Sequence, residues 1–139
     1  MTRFVLDASV ALRWFLSNPV PAYARRVKQL MLDGARAVVP ALWHLEMANG
    51  LAVAERRGIV TAADADQSLT GIEGLLGQAI ENDPALVSVR QALTTARTFR
   101  LSGYDAVYLD VARRERLPLA TLDEALRAAA AQAGVALIR

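Results

Sequence analysis

Phe4-Val5-Leu6-Asp7-Ala8-Ser9-Val10-Ala11-Leu12 is the stretch whose pattern changes fastest. Phe4-Val5-Leu6 reads as a short strand. From Ala8 to about Leu16 the chain reads as a helix, which Pro19 and Pro21 end. A single carboxylate, Asp7, stands between the two. A strand that passes into a helix across one residue opens a βα unit, and the rest of the chain repeats the theme. A second helix runs from about Pro21 to Leu32 and stops at Gly34. Ala37-Val38-Val39 is a strand closed by Pro40, and a helix follows from Ala41 to about Arg57, with Gly58 as its cap. Thr61-Ala62-Ala63-Asp64 is a capping-box pattern that opens a further helix.

The second half continues the alternation. A strand is expected near Gln78 to Glu81, then a helix from about Ala85 to Phe99. Ser102-Gly103-Tyr104-Asp105 opens a helix to about Arg116. Leu117 to Leu122 holds a fourth strand, Glu124 to Ala133 a last helix ending at Gly134, and Val135 to Ile138 a fifth strand. Such alternation predicts an α/β fold: a central, mainly parallel five-stranded sheet flanked by helices on both faces, in three layers. A length of 139 residues suits one domain spanning 1–139. Sites in such folds lie beyond the carboxyl ends of the strands, near the point where strand order reverses.

Composition narrows the chemistry. Hydrophobic residues make up 54% of the chain, enough for a compact core, and charged residues only 22%, which argues against disorder. With no cysteine, disulfides and thiolate metal sites are excluded, and this suits a reducing cytoplasm. The single histidine, His44, excludes multi-histidine zinc ligation. Any metal must be held mainly by oxygen, which points to magnesium or manganese. The longest runs without charge, 14–24 and 128–138, are too short to span a membrane. Asp7 and Arg13 interrupt the first apolar stretch, which therefore reads as no signal peptide. Net charge is +2, with the basic side nearly all arginine, weak support for a phosphate-bearing partner.

Four acidic residues carry the functional argument. Asp7 follows the first strand and Asp123 the fourth, so both project from the sheet's carboxyl edge. Asp105 opens a helix, where backbone N–H groups favour an anion. Glu46 lies just over a turn into the helix after the second strand. Each has a plainer explanation alone: Asp7 and Asp123 as N-caps, Asp105 in a capping box with Ser102, Glu46 as a half-exposed helix residue. Together, four carboxylates at one sheet edge would repel one another, raising pKa values and lowering stability. A divalent cation removes that penalty. Asp64, Asp66 and Asp110 read as a helix cap and two solvated positions. Trp14 and Trp43 are available in principle for base stacking but read better as core.

Four segments in order carry a family resemblance: Phe4 to Ser9, Leu45 to Leu51, Leu101 to Leu109, and Leu117 to Asp123. The chain resembles PIN-domain proteins of the VapC toxin type over nearly its whole length, least so at residues 60 to 98. The resemblance implies a metal-dependent endoribonuclease, the toxin of a toxin–antitoxin pair, acting on tRNA or ribosomal RNA. It implies that Asp7, Glu46, Asp105 and Asp123 bind Mg2+ or Mn2+, with Asp7 and Asp105 the most direct ligands. Ser9 and Asn49 would support the site by hydrogen bonds, and Thr121 would orient a ligand or water. It further implies a homodimer and a VapB-like antitoxin, with Val10, Leu12, Phe15, Tyr23, Val27 and Leu30 as candidate lining of an antitoxin groove.

Alternatives remain. A phosphatase of the haloacid-dehalogenase kind needs a second Asp where Ser9 stands. No glycine-rich loop follows Leu6, which argues against dinucleotide binding. A non-catalytic binding module, or an RNA-processing nuclease without an antitoxin, uses the same fold.

Overall fold

A computed structural model of the chain describes residues 2–139. The order of elements is β1 (Arg3–Leu6), α1 (Ala8–Leu16), α2 (Ala22–Leu32), β2 (Arg36–Val39), α3 (Ala41–Arg56), α4 (Ala62–Gln78), β3 (Ile80–Asn82), α5 (Val89–Phe99), α6 (Gly103–Glu115), β4 (Leu119–Ala120) and α7 (Glu124–Ala133). The strands form one sheet in the order β3-β2-β1-β4, and every pairing is parallel.

Successive strand residues face opposite sides of a sheet. In β1, Phe4, Val5 and Leu6 are all completely buried, and in β2 so are Ala37, Val38 and Val39 to within 1%. Both faces are therefore covered by helices, as the uninterrupted apolar runs predicted. Trp14 and Trp43 belong to this core. The Trp14 indole N–H donates to the Ala24 carbonyl at 2.7 Å, and Trp43 is fully buried, so neither ring faces a solvent-borne base.

The sheet has four strands, not five. The final segment reaches β4 only through an isolated parallel bridge, Leu119 to Leu137, with the Leu119 N–H donating to the Ala136 carbonyl and the Ile138 N–H to the Leu119 carbonyl. The physical reason is the length of β4. Pro118 precedes it and the chain turns away at Thr121, so two residues remain and there is no ladder for a fifth strand to extend. Other boundaries shift less. The helix α4 runs through Gln78, so β3 starts two residues later than expected, and α5 starts at Val89 because Ser88 caps it.

Two features of this topology position the site. Strand order runs from β1 to β2 to β3 on one side, while β4 lies on the other. The reversal point is thus between β1 and β4, whose carboxyl ends carry Asp7 and Asp123. The helices α1 and α3 approach closely where Gly50 faces Leu12; a β-carbon at Gly50 would lie 2.5 Å from a Leu12 methyl. Val10 and Val27 are completely buried and so have no surface to offer a groove, whereas Leu12, Phe15, Tyr23 and Leu30 are partly buried.

Candidate active site

Asp7 stands at the N-cap position of α1, yet its side chain makes no capping hydrogen bond. The carboxylate turns across the sheet edge instead. Its Oδ2 accepts from the Ser9 hydroxyl at 2.7 Å and from the Thr121 hydroxyl at 2.6 Å. A helix cap alone therefore does not account for the two hydroxyls that hold Asp7. Asp7 is buried, with only 3% of its surface exposed. Burial raises its pKa and Asp123 pushes the same way; the two hydroxyls and the Ser9 N–H pull it down.

The hydroxyl partners are themselves held. Ser9 Oγ accepts from the Leu122 N–H at 3.1 Å, and Thr121 Oγ1 from the Asp123 N–H at 3.0 Å. The carbonyl of Thr121 takes a further hydrogen bond from the Arg127 guanidinium at 2.8 Å. Asp123 does cap α7, its Oδ1 accepting from the Leu126 N–H at 2.8 Å. The ends of β1 and β4 are thus laced together by side chains as well as by the sheet.

Glu46 and Asp105 come from the helices above this edge. Glu46 Oε1 accepts from the Tyr108 hydroxyl at 2.6 Å. Asp105 lies in the first turn of α6, which Ser102 caps by accepting from the Asp105 N–H at 3.1 Å. The reciprocal half of a capping box, carboxylate to Ser102 N–H, is not formed, so the Asp105 carboxylate is free to face the other three. Its pKa is pushed up to about 6, by burial first and then by Asp123, Asp7 and Glu46. The Glu46 value is also raised, by burial first and by Asp7, against the pull of Tyr108. Asp7, Glu46, Asp105 and Asp123 are therefore near enough to act on one another electrostatically.

Among the described residues, no three Asp, Glu, His or Cys side chains are gathered into a ready-made metal shell. The carboxylates are coupled at longer range. An ion held here would keep several waters and substrate phosphate oxygens among its ligands, as magnesium and manganese do. The donor set agrees: it is all oxygen. In Glu46 and Asp123 one oxygen is anchored by a protein donor, while the second oxygen of each, and both oxygens of Asp105, accept no hydrogen bond among the described residues.

Of the supporting residues, Ser9 and Thr121 sit in the site, whereas Asn49 lies exposed on α3 and makes no hydrogen bond to the carboxylates. Asp64 forms its capping box with Thr61, and Asp66 is exposed. Asp110 differs from its reading as a solvated position: it accepts from the buried Thr95 hydroxyl and ties α6 to α5. Sequence reasoning passed over Tyr108. The available signal was its place one turn beyond Asp105, on the same helix face. Burial and Glu46 push the Tyr108 pKa far up, so its hydroxyl keeps its proton and acts as a donor.

The PIN domain family profile matches residues 4–132. Among curated proteins no sequence match is found. Similar solved structures include PAE2754 from Pyrobaculum aerophilum, at 21% identity and TM-score 0.67, covering 92% of this chain and 84% of that one. FitAcB from Neisseria gonorrhoeae is similar at 18% identity and TM-score 0.65, covering 98% and 96%. VapBC2 from Rickettsia felis, solved bound to a DNA fragment from its promoter, is similar at 12% identity and TM-score 0.56, covering 88% of each. At these identities the likeness is one of fold, and the profile match over most of the chain identifies it: this protein belongs to the PIN domain family.

Proposed function

We propose that the chain is a divalent-metal-dependent endoribonuclease and the toxin of a toxin–antitoxin pair. PIN domains are generally metal-dependent nucleases. The observation that carries the reading here is that four carboxylates from four parts of the chain act on one another at one sheet edge, Asp105 being raised to about 6 by burial first and then by Asp123, Asp7 and Glu46. Asp7, Glu46, Asp105 and Asp123 would hold the cation, Mg2+ or Mn2+. When bound, it would supply Lewis-acid charge to the phosphodiester and its attacking water. The chain's own groups prepare the site. Ser9 and Thr121 fix the angle of Asp7, the α7 N-terminus fixes Asp123, and Tyr108 holds Glu46. Such preorganisation spares the ligands reorientation when charge arrives. Exposed arginines such as Arg13 would meet RNA phosphates.

The toxin assignment is supported by the four VapC-like motifs in order and by the fold likeness to VapBC2 and FitAcB. A VapB-like antitoxin is the expected partner, a homodimer the expected assembly, and the cytoplasm the expected compartment. No helix of the described residues is long and apolar enough to cross a membrane.

The test uses purified protein and a panel of tRNA and ribosomal RNA with Mg2+ or Mn2+. Cleavage should need the metal and stop with EDTA. Asp7→Asn should lower it at least ~100-fold while leaving the melting temperature unchanged or higher, since one of several like charges is gone. Full activity in EDTA or in Asp7→Asn overturns the mechanism. Co-expression with the product of the neighbouring small gene should abolish toxicity. A chain harmless alone and bound by no such product is an RNA-processing nuclease instead.

A further inference from the structure

We propose that Tyr108 is a positioning residue: across the gap between α3 and α6 it sets the angle of the Glu46 carboxylate, and so the affinity of the site for a divalent cation. The proposal rests on the reading of the four carboxylates as a cation site. Tyr108 has no exposed surface, so its ring cannot swing and its hydroxyl is a fixed point. That hydroxyl donates to Glu46 Oε1 at 2.6 Å, the short distance of a charge-assisted hydrogen bond. That one contact ties α3 to α6, the helix that carries Asp105 one turn away.

Glu46 needs such a fixed point. Asp7 is held by two hydroxyls and Asp123 by a helix N-terminus, each on a short side chain. Glu46 has one more rotatable bond and is only half-buried. The Tyr108 hydroxyl is the one hydrogen-bond donor to it among the described residues. Without that donor the carboxylate would sample several rotamers, and ordering it would fall to the cation. Groups that orient metal ligands in this way typically change affinity 10–100-fold when removed.

Tyr108→Phe removes the hydroxyl and leaves the ring. Mn2+ affinity, read by electron paramagnetic resonance of free Mn2+, should fall at least ~10-fold, with the melting temperature changed by no more than a few degrees. In a Glu46→Ala background the same substitution should have no further effect on affinity, because Tyr108 acts through Glu46. If the phenylalanine variant does not fold, Tyr108→4-fluorophenylalanine fills the space of the hydroxyl without a donor and should lose affinity to a similar degree. Tight Mn2+ binding by the wild type with equal affinity in Tyr108→Phe, or in the fluorinated variant where it must be used, overturns the role of Tyr108 alone. Absence of Mn2+ binding by the wild type overturns the cation site, and the positioning role with it.

Discussion

Asp105 is raised by burial first and by its acidic neighbours second, and no protein donor among the described residues shields its carboxylate. With a folded-state value of about 6 against the ordinary 3.8, it holds its proton more tightly folded than unfolded. Its contribution to stability is therefore complete below about pH 4 and is lost as pH rises through 6. Asp7 and Glu46 are shifted the same way. Two pKa units correspond to ~3 kcal/mol; Asp105 is half-buried, and solvent screening reduces this to about 1–2 kcal/mol. Urea unfolding of the metal-free protein at pH 4.5 and 7.5 measures it. Asp105→Asn should narrow the difference between the two pH values by that amount, and an unchanged difference would show that Asp105 is not raised in this way. The carboxylates were legible in the sequence because strand-to-helix junctions locate Asp7 and Asp123, and a Ser-x-x-Asp start locates Asp105. Tyr108 was not, because a tyrosine on a helix gives no sign of whether its hydroxyl meets core or carboxylate.

Helix ends place these side chains, and they were read well where a cap residue announces them. Ser102 and Asp123 open α6 and α7 with side-chain hydrogen bonds. The closing ends use left-handed backbone: Gly134 at φ 73°, but also Arg100 at 57° and Arg116 at 55°. Gly134 has open space where a β-carbon would go, so Gly134→Ala isolates the backbone term and should cost about 1 kcal/mol. Arg116→Gly should stabilise by up to about 1 kcal/mol for the same reason inverted. Paired thermal melts read both; a stabilised Gly134→Ala would contradict the left-handed cap. Strands were harder to bound than helices. A strand's length depends on how many residues its neighbour can pair, and two-residue β4 limits the last segment to one bridge. Local sequence at Val135 to Ile138 contains nothing of that constraint.

For the molecule as a whole, protons and a cation should compete for one set of oxygens. The sheet fixes Asp7 and Asp123 beside its reversal point, and packed helices fix Glu46 and Asp105, so the carboxylates cannot separate without unfolding. Their repulsion is held in the fold, and anything that neutralises it stabilises the folded state alone. A cation at 100 times its dissociation constant adds ~2.7 kcal/mol by mass action, worth roughly 5–10 °C in a domain of this size. Because a proton on Asp105 must leave for the oxygen to ligate, that gain should be smaller at pH 5 than at pH 7.5. Thermal melts with and without Mn2+ at the two pH values, at fixed ionic strength, measure both effects. Mn2+ should raise the melting temperature at pH 7.5 and do less at pH 5. In Asp105→Asn the rise should shrink and most of its pH dependence should disappear. An equal rise at both pH values in the wild type would mean that the ion binds elsewhere, since no group in the site could then be exchanging a proton for it. No rise at millimolar Mn2+ would mean that the four carboxylates tolerate one another without a cation, and the reading of the site would fall at its first premise.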